Sequence, residues 1–291
     1  MKEKNLVRKK LEKNSSFLKD NSMKKVEINH LLDAGVHFGH LTSKRHPNMS
    51  PYIFMEKNGM HIIDLNKTKA KLDQALLGLK KITKTGRKIL FVATKKQSKF
   101  VLEKYIKNVN MPYITERWYG GMLTNFVTIR KTVKKLDIID RMKEDGTIQT
   151  LSKRERLQME RDRAKLEKYL GSISEMNRLP AAVFVVDILR EKIAIQEASK
   201  LNIKTFAMVD TNSNPDLVDF PIPSNDDASK SIDVILSYVF GAIEEGLNER
   251  EKELKAQKIQ SEKKEKEAVN SEVNQEEIVD QLNKNIKKWQ K

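Results

Sequence analysis

Residues 181–187 read Ala-Ala-Val-Phe-Val-Val-Asp, an apolar run rich in β-branched side chains and closed by one carboxylate. A run of this kind, with no polar alternation, suits a strand buried on both faces, as in a parallel sheet. Residues 88–93 (Lys-Ile-Leu-Phe-Val-Ala) repeat the pattern, and residues 203–209 do so again. Residues 60–65, preceded by Gly59, and residues 112–118 are further strand-like stretches. Between these runs the apolar residues fall at helical spacing. Leu72, Ala75, Leu76 and Leu79 mark a helix over 66–83, and Phe100, Val101 and Tyr105 one over 96–108. Ile193, Ala194, Glu197 and Ala198 mark 190–201; Ile232, Ile235, Leu236, Val239 and Phe240 mark 227–245. Strands alternating with helices of this length require crossover connections and a mainly parallel sheet covered on both faces. The fold class is α/β.

Residues 124–174 interrupt the alternation. They carry no strand pattern but two helical ones, about 124–144 (Phe126, Ile129, Val133, Leu136) and 152–172 (Leu166 and Leu170, with Ile173 just beyond), with Asp145-Gly146 as the turn. Their high charge leaves few apolar positions for broad burial, so the pair is expected to project as an antiparallel hairpin. The α/β domain is then 23–123 and 175–248. Residues 1–22 are Lys-rich and aperiodic and read as a mobile basic arm. Residues 249–291 form a Glu/Lys/Gln tail without a core stripe, disordered or partly helical through pairs four apart.

Charge narrows the function. The net formal charge is +16, and it is not spread evenly. Residues 40–129 hold 17 cations and 5 anions, whereas residues 179–245 hold 5 and 11. Segregated positive charge is the footprint of a nucleic-acid partner, because each neutralised phosphate releases a condensed counterion. No apolar run approaches the ~18–20 residues that span a bilayer. The basic first 29 residues lack the apolar segment of a secretory signal. With no cysteine there is no disulfide, thiolate metal site or thiol nucleophile.

The enzymatic alternatives are thin. The turn after residues 88–93 is Thr94-Lys95-Lys96-Gln97, without glycine, and neither G-x-G-x-x-G nor G-x-x-x-x-G-K-[ST] occurs. All five histidines fall between residues 30 and 61; His37 and His40 lack the partners of a metal motif, so no metal is expected. The aspartates after the late strands allow one alternative, a Mg²⁺-dependent phosphoryl-transfer enzyme using Asp187, Asp210 and Asp226. Against it, Asn225-Asp226-Asp227 precedes a helix as a capping sequence does, and Asp210-Thr211-Asn212 with Pro215 is a turn signal. In the basic half, aromatics sit among the cations: Lys44-Arg45-His46 before Tyr52 and Phe54, and Arg117-Trp118-Tyr119 before Asn125 and Arg130. Such sets stack on unpaired bases and contact phosphate, although Trp118 and Phe54 taken singly suit a core equally well.

Gly35-Val-His-Phe-Gly-His40, Pro51-Tyr-Ile-Phe54 and His61-Ile-Ile-Asp64 resemble the N-terminal signature of the bacterial small-subunit ribosomal protein S-two family. Glu116-Arg-Trp-Tyr-Gly-Gly-Met-Leu-Thr-Asn125 resembles its central motif. Asp210-Thr-Asn212 with Pro215, and Pro221-Ile-Pro-Ser-Asn-Asp-Asp-Ala228, resemble its C-terminal ones. The likeness runs from about Met23 to Gly246. It implies a flavodoxin-like parallel sheet with a protruding coiled-coil hairpin, of the bacterial or organellar branch. The implied function is structural and not enzymatic: a cytoplasmic ribosome component that binds small-subunit rRNA where head and body meet. Implied partners are neighbouring ribosomal proteins, including the large mRNA-binding protein S-one. No cofactor, small-molecule substrate or membrane is expected. Charge and motif position make Lys44, Arg45, Lys95, Lys96, Lys99, Arg117 and Arg130 the expected phosphate contacts, and Asn125 a polar RNA contact.

Overall fold

A computed structural model describes residues 26–255. Five parallel strands form the central sheet in the order β5-β4-β6-β7-β8: β4 (Ile89–Val92), β5 (Tyr113–Ile114), β6 (Ala182–Val186), β7 (Lys204–Val209) and β8 (Phe220–Pro223). Ahead of them a separate antiparallel sheet, order β1-β3-β2, comprises β1 (Phe38–Leu41), β2 (Ile53–Lys57) and β3 (Met60–Ile63). The helices are α1 (Ile28–Asp33), α2 (Leu65–Lys84), α3 (Lys96–Ile106), α4 (Phe126–Glu144), α5 (Lys153–Leu170), α6 (Lys192–Lys200) and α7, which starts at residue 229. Residues of α7 through 246 belong to the body; residues 247–255 are also helical. The expected arm 1–22 and the tail beyond residue 255 lie outside the described residues.

Register explains how the sheet is covered. Phe91, Phe184, Phe206 and Phe220 stand opposite one another on four adjacent strands, so their rings form one row on one face. Phe240 of α7 stacks on Phe91 at 4.8 Å and Tyr105 of α3 stacks on Phe240 at 5.5 Å. Gly78 lets α2 approach the same row, since a Cβ there would stand 3.1 Å from the Phe206 ring. The alternate residues Leu90, Val92, Val183, Val185, Ala207 and Val209 face Ala194, Ile195 and Ala198 of α6. Both faces are therefore dry, as the uninterrupted apolar runs require.

Several elements differ from the sequence expectation. The strand expected over 60–65 is β3, which pairs in the antiparallel sheet and not in the parallel one. The stretch 112–118 pairs only through Tyr113 and Ile114, after which the chain turns inward to bury Trp118. β8 has no counterpart among the expected strands; it tolerates Pro221 and Pro223 because it lies at the sheet edge, where one side is unpaired and a missing N–H costs nothing. Phe100 and Ile193 do not line the helix cores but are 74% and 53% exposed, while Leu102, Ile106 and Ile195 are buried instead. In the hairpin, α4 buries only Val133 and α5 only Leu170. Phe126, Ile129, Leu166 and Tyr169 pack against the body core at its base. Farther out, Arg163 pairs with Asp140 across the two helices and with Glu167 at 2.7 Å.

Candidate nucleic-acid interface

The chain between β5 and α4 reads Thr-Glu-Arg-Trp-Tyr-Gly-Gly-Met-Leu-Thr-Asn over residues 115–125. Trp118, Met122 and Leu123 anchor this loop in the core. Gly121 holds φ at +89°, a left-handed conformation that side chains disfavour. The resulting turn aims its donors at Glu197 of α6, only 6% exposed. Glu197 Oε1 accepts from the Trp118 indole at 3.1 Å and the Gly121 N–H at 2.7 Å. Its Oε2 accepts from the Leu123 N–H at 3.0 Å, and from the Thr124 N–H and hydroxyl, each at 3.1 Å. Burial pushes the carboxyl up, but the bonds from Thr124, Trp118, Gly121 and Leu123 together outweigh it and hold the group below its usual range. An ionised carboxylate thus fixes the inner side of the loop and leaves Arg117, Gly120 and Asn125 exposed. Sequence reasoning placed Glu197 on a helix face without this role. The available signal was a carboxylate between Ala194 and Ala198 on an otherwise apolar stripe.

The expected RNA contacts fall into two groups. Lys44, Arg45, Lys96, Arg117 and Asn125 are exposed. Lys99 is half-buried and pairs with Glu116, whose second oxygen lies 3.6 Å from Lys168. Arg130 is half-buried and donates to the Met176 carbonyl at 2.9 Å and to the Asn177 side chain. Lys95 is turned into the chain's own acidic residues: its Nζ lies 2.6 Å from Asp227, 2.8 Å from Asp226 and 3.4 Å from Asp187. Burial lowers the Lys95 pKa and these carboxylates raise it; the raising wins, so the ammonium is permanent at neutral pH. The aromatics divide as well. Trp118 is core, whereas Phe54 is 68% exposed.

At the C-terminal edge of the parallel sheet, where a nucleotide would sit in an α/β protein, carboxylates occupy the space. Thr94, in the turn after β4, donates its N–H and hydroxyl to Glu191, which burial pushes up. Asp187 caps the following turn through the N–H groups of Leu189 and Arg190. Asp226 is buried, and burial with the charges of Asp187 and Asp210 raises it to about 7 against the pull of Lys95. Ahead of α7 the side chain of Asn225 accepts from the N–H groups of Asp227 and Ala228 and closes the turn that leads into the helix, so the expected capping sequence serves as that turn. The histidines scatter. His30 meets the Tyr238 hydroxyl at 3.1 Å, His46 accepts from the Asn48 N–H, and His40 lies between Asp210 and Asp227. Sequence reasoning did not foresee that last grouping, which joins residues some 170 apart.

The small antiparallel sheet adds exposed apolar side chains: Phe38, Leu41, Phe54, Met55 and Met60. Among the described residues, no helix is long and apolar enough to cross a membrane.

Comparison with known proteins fits this arrangement. The profile of the family described as Ribosomal protein S2 matches residues 31–246. Flavobacterium johnsoniae has a relative named small ribosomal subunit protein uS2, 67% identical over 234 residues, covering 80% of this chain and 92% of its own length. Relatives of the same name in Christiangramia forsetii and Phocaeicola vulgatus are 66% and 59% identical over 229 and 240 residues. They cover 79% and 82% of this chain, and 77% and 85% of their own lengths. The match contains the Glu197-cradled loop, both sheets and the hairpin: the chain belongs to the ribosomal protein S2 family.

Proposed function

We propose that the exposed cations around the 115–125 loop and the β1–β2 connection hold small-subunit rRNA. Family membership makes the chain a structural constituent of the small ribosomal subunit, at work in translation in the cytoplasmic ribosome and not an enzyme. The observation that favours this interface is the Glu197 cradle. A loop pinned from beneath by five hydrogen bonds presents Arg117 and Asn125 on a backbone that is already ordered before binding. Lys44, Arg45 and Lys96 extend the positive surface. Lys99 and Arg130, partly occupied within the chain, add field more than direct contacts. Lys95, expected from the sequence to contact phosphate, serves the acidic edge instead, through Asp187, Asp226 and Asp227. The hairpin 124–174 offers a second surface for RNA or protein. The apolar side chains exposed on the small sheet suit a protein neighbour, and S-one is the partner we assign there.

Sucrose-gradient fractionation tests the interface. The variant Lys96→Glu/Arg117→Glu should fold normally yet leave the small-subunit fraction at moderate salt, while the unaltered chain stays. Full cosedimentation of the variant would remove these residues from the interface.

A further inference from the structure

We propose that Phe100 of α3 is a stacking platform for one unpaired RNA base, with the flanking phosphates held by Lys96 and Lys107; this rests on reading the neighbouring surface as an rRNA interface. Phe100 is 74% exposed, more than any other large apolar side chain among the described residues. At 3.6 residues per turn, Lys96, Phe100 and Lys107 fall within about 40° of one another on the outer side of the helix. Lys107 is the C-cap of α3, and both lysines are exposed. Along the axis the ring lies about 6 Å past Lys96 and about 10 Å before Lys107. A cation therefore stands on either side of the ring, as the phosphates of a strand stand on either side of a splayed base.

Charge and size select the occupant. Residues 96–107 hold four lysines and one glutamate, so this face suits a polyanion. The exception, Glu103, is half-buried and lies in the field of Lys99. The exposed neighbours of the ring on the helix are Lys96, Gln97 and Lys104, all polar, so the ring belongs to no wider apolar patch. A protein neighbour calls for a contiguous apolar area; a single base needs one ring. Every base has a π-face, so such a contact is blind to sequence. The platform is also rigid. Ser98, Leu102 and Ile106 bury the opposite side of α3, and Tyr105 stacks on Phe240. Lys99, next to Phe100 in the chain, pairs with Glu116, one residue before Arg117, which ties α3 to the 115–125 loop. Ring and loop are thus parts of one surface.

The test uses the full chain and two fluorescein-labelled probes, a short oligouridylate and a paired RNA duplex, read by anisotropy. Phe100→Leu keeps an apolar side chain and removes the ring face. It should weaken oligouridylate binding by at least about 5-fold and leave duplex binding unchanged. The salt slope should hold, because no phosphate contact is lost. Phe100→Trp should keep the parental affinity, and thermal melts should show both variants folded. Equal oligouridylate binding by Phe100→Leu and the parent would overturn the proposal. So would a loss that Phe100→Trp shares, or one that falls equally on the duplex. A Phe100→Leu chain that binds RNA as the parent does yet leaves the small-subunit fraction would give the ring to a protein neighbour, and overturn it too. The interface itself is judged separately: full cosedimentation of Lys96→Glu/Arg117→Glu removes it, whereas failure of the Phe100 variants alone removes only the base contact.

Discussion

Glu197 has a side chain chosen by the loop it holds and not by the helix that carries it. Replacing it with Gln keeps the size but turns an amide donor toward donors, leaving at least one buried N–H without an acceptor. Charge-assisted bonds of this kind are worth about 1.5–3 kcal/mol each, so Glu197→Gln should cost about 3 kcal/mol in urea unfolding. The variant should also lose part of its acid sensitivity. Because the folded carboxyl sits below its unfolded value, it contributes stability that is full above the unfolded pKa, near 4.3, and is lost as pH falls through the folded one. Unfolding free energies measured from pH 7 downward should therefore fall more steeply below about pH 4.5 in the parent than in Glu197→Gln. A residue of this type shows in a sequence only as a charge on an apolar stripe. Its five partners come from residues 73 to 79 positions away, and no local pattern encodes that distance.

At the scale of elements, legibility followed burial. Strands dry on both faces had to be apolar throughout, so β4, β6 and β7 were readable in place. β1 and β2 were not, because neither has a fully buried residue to enforce a pattern. The helical faces were readable where the stripe was complete, as in α2 and α7. They failed where one large apolar residue misled the phase, as Phe100 did in α3 and Ile193 in α6. Stability should divide along the same line. Phe184, in the middle of the phenylalanine row and fully buried, should cost about 3–5 kcal/mol when changed to Ala. Phe100→Ser should change stability by less than about 0.5 kcal/mol despite removing a ring of the same size. Equilibrium denaturation of the two variants side by side checks both figures; a large loss in Phe100→Ser would show that the exposed ring is part of the packed core.

Over the whole molecule the decisive property is where charge is spent. The acidic third of the sequence is largely used inside the chain: Asp219 on Lys204 and Thr205, Asp233 on Lys104, and Asp226 and Asp227 on Lys95. Lys44, Arg45, Lys96 and Arg117 are exposed instead, and on the reading proposed above they keep their charge for RNA. This accounting was legible as a bias along the sequence, but which lysines were already committed was not, because Lys95 and Lys96 are adjacent and alike until the fold turns one inward. The two should therefore behave oppositely when rRNA affinity is measured against salt. Each phosphate contact contributes a slope of about 0.7–0.9 in log K against log salt. Neutralising Lys44, Arg45, Lys96 and Arg117 together with Gln should flatten the slope by about 3 while the melting temperature holds. Lys95→Gln should do the reverse. It leaves the slope as it was, since the ammonium faces carboxylates and not RNA, and lowers the melting temperature by stranding Asp226 beside Asp187 and Asp210. A flattened slope in Lys95→Gln would instead mean that binding pulls this lysine off its aspartates, and that the acidic edge opens toward the RNA.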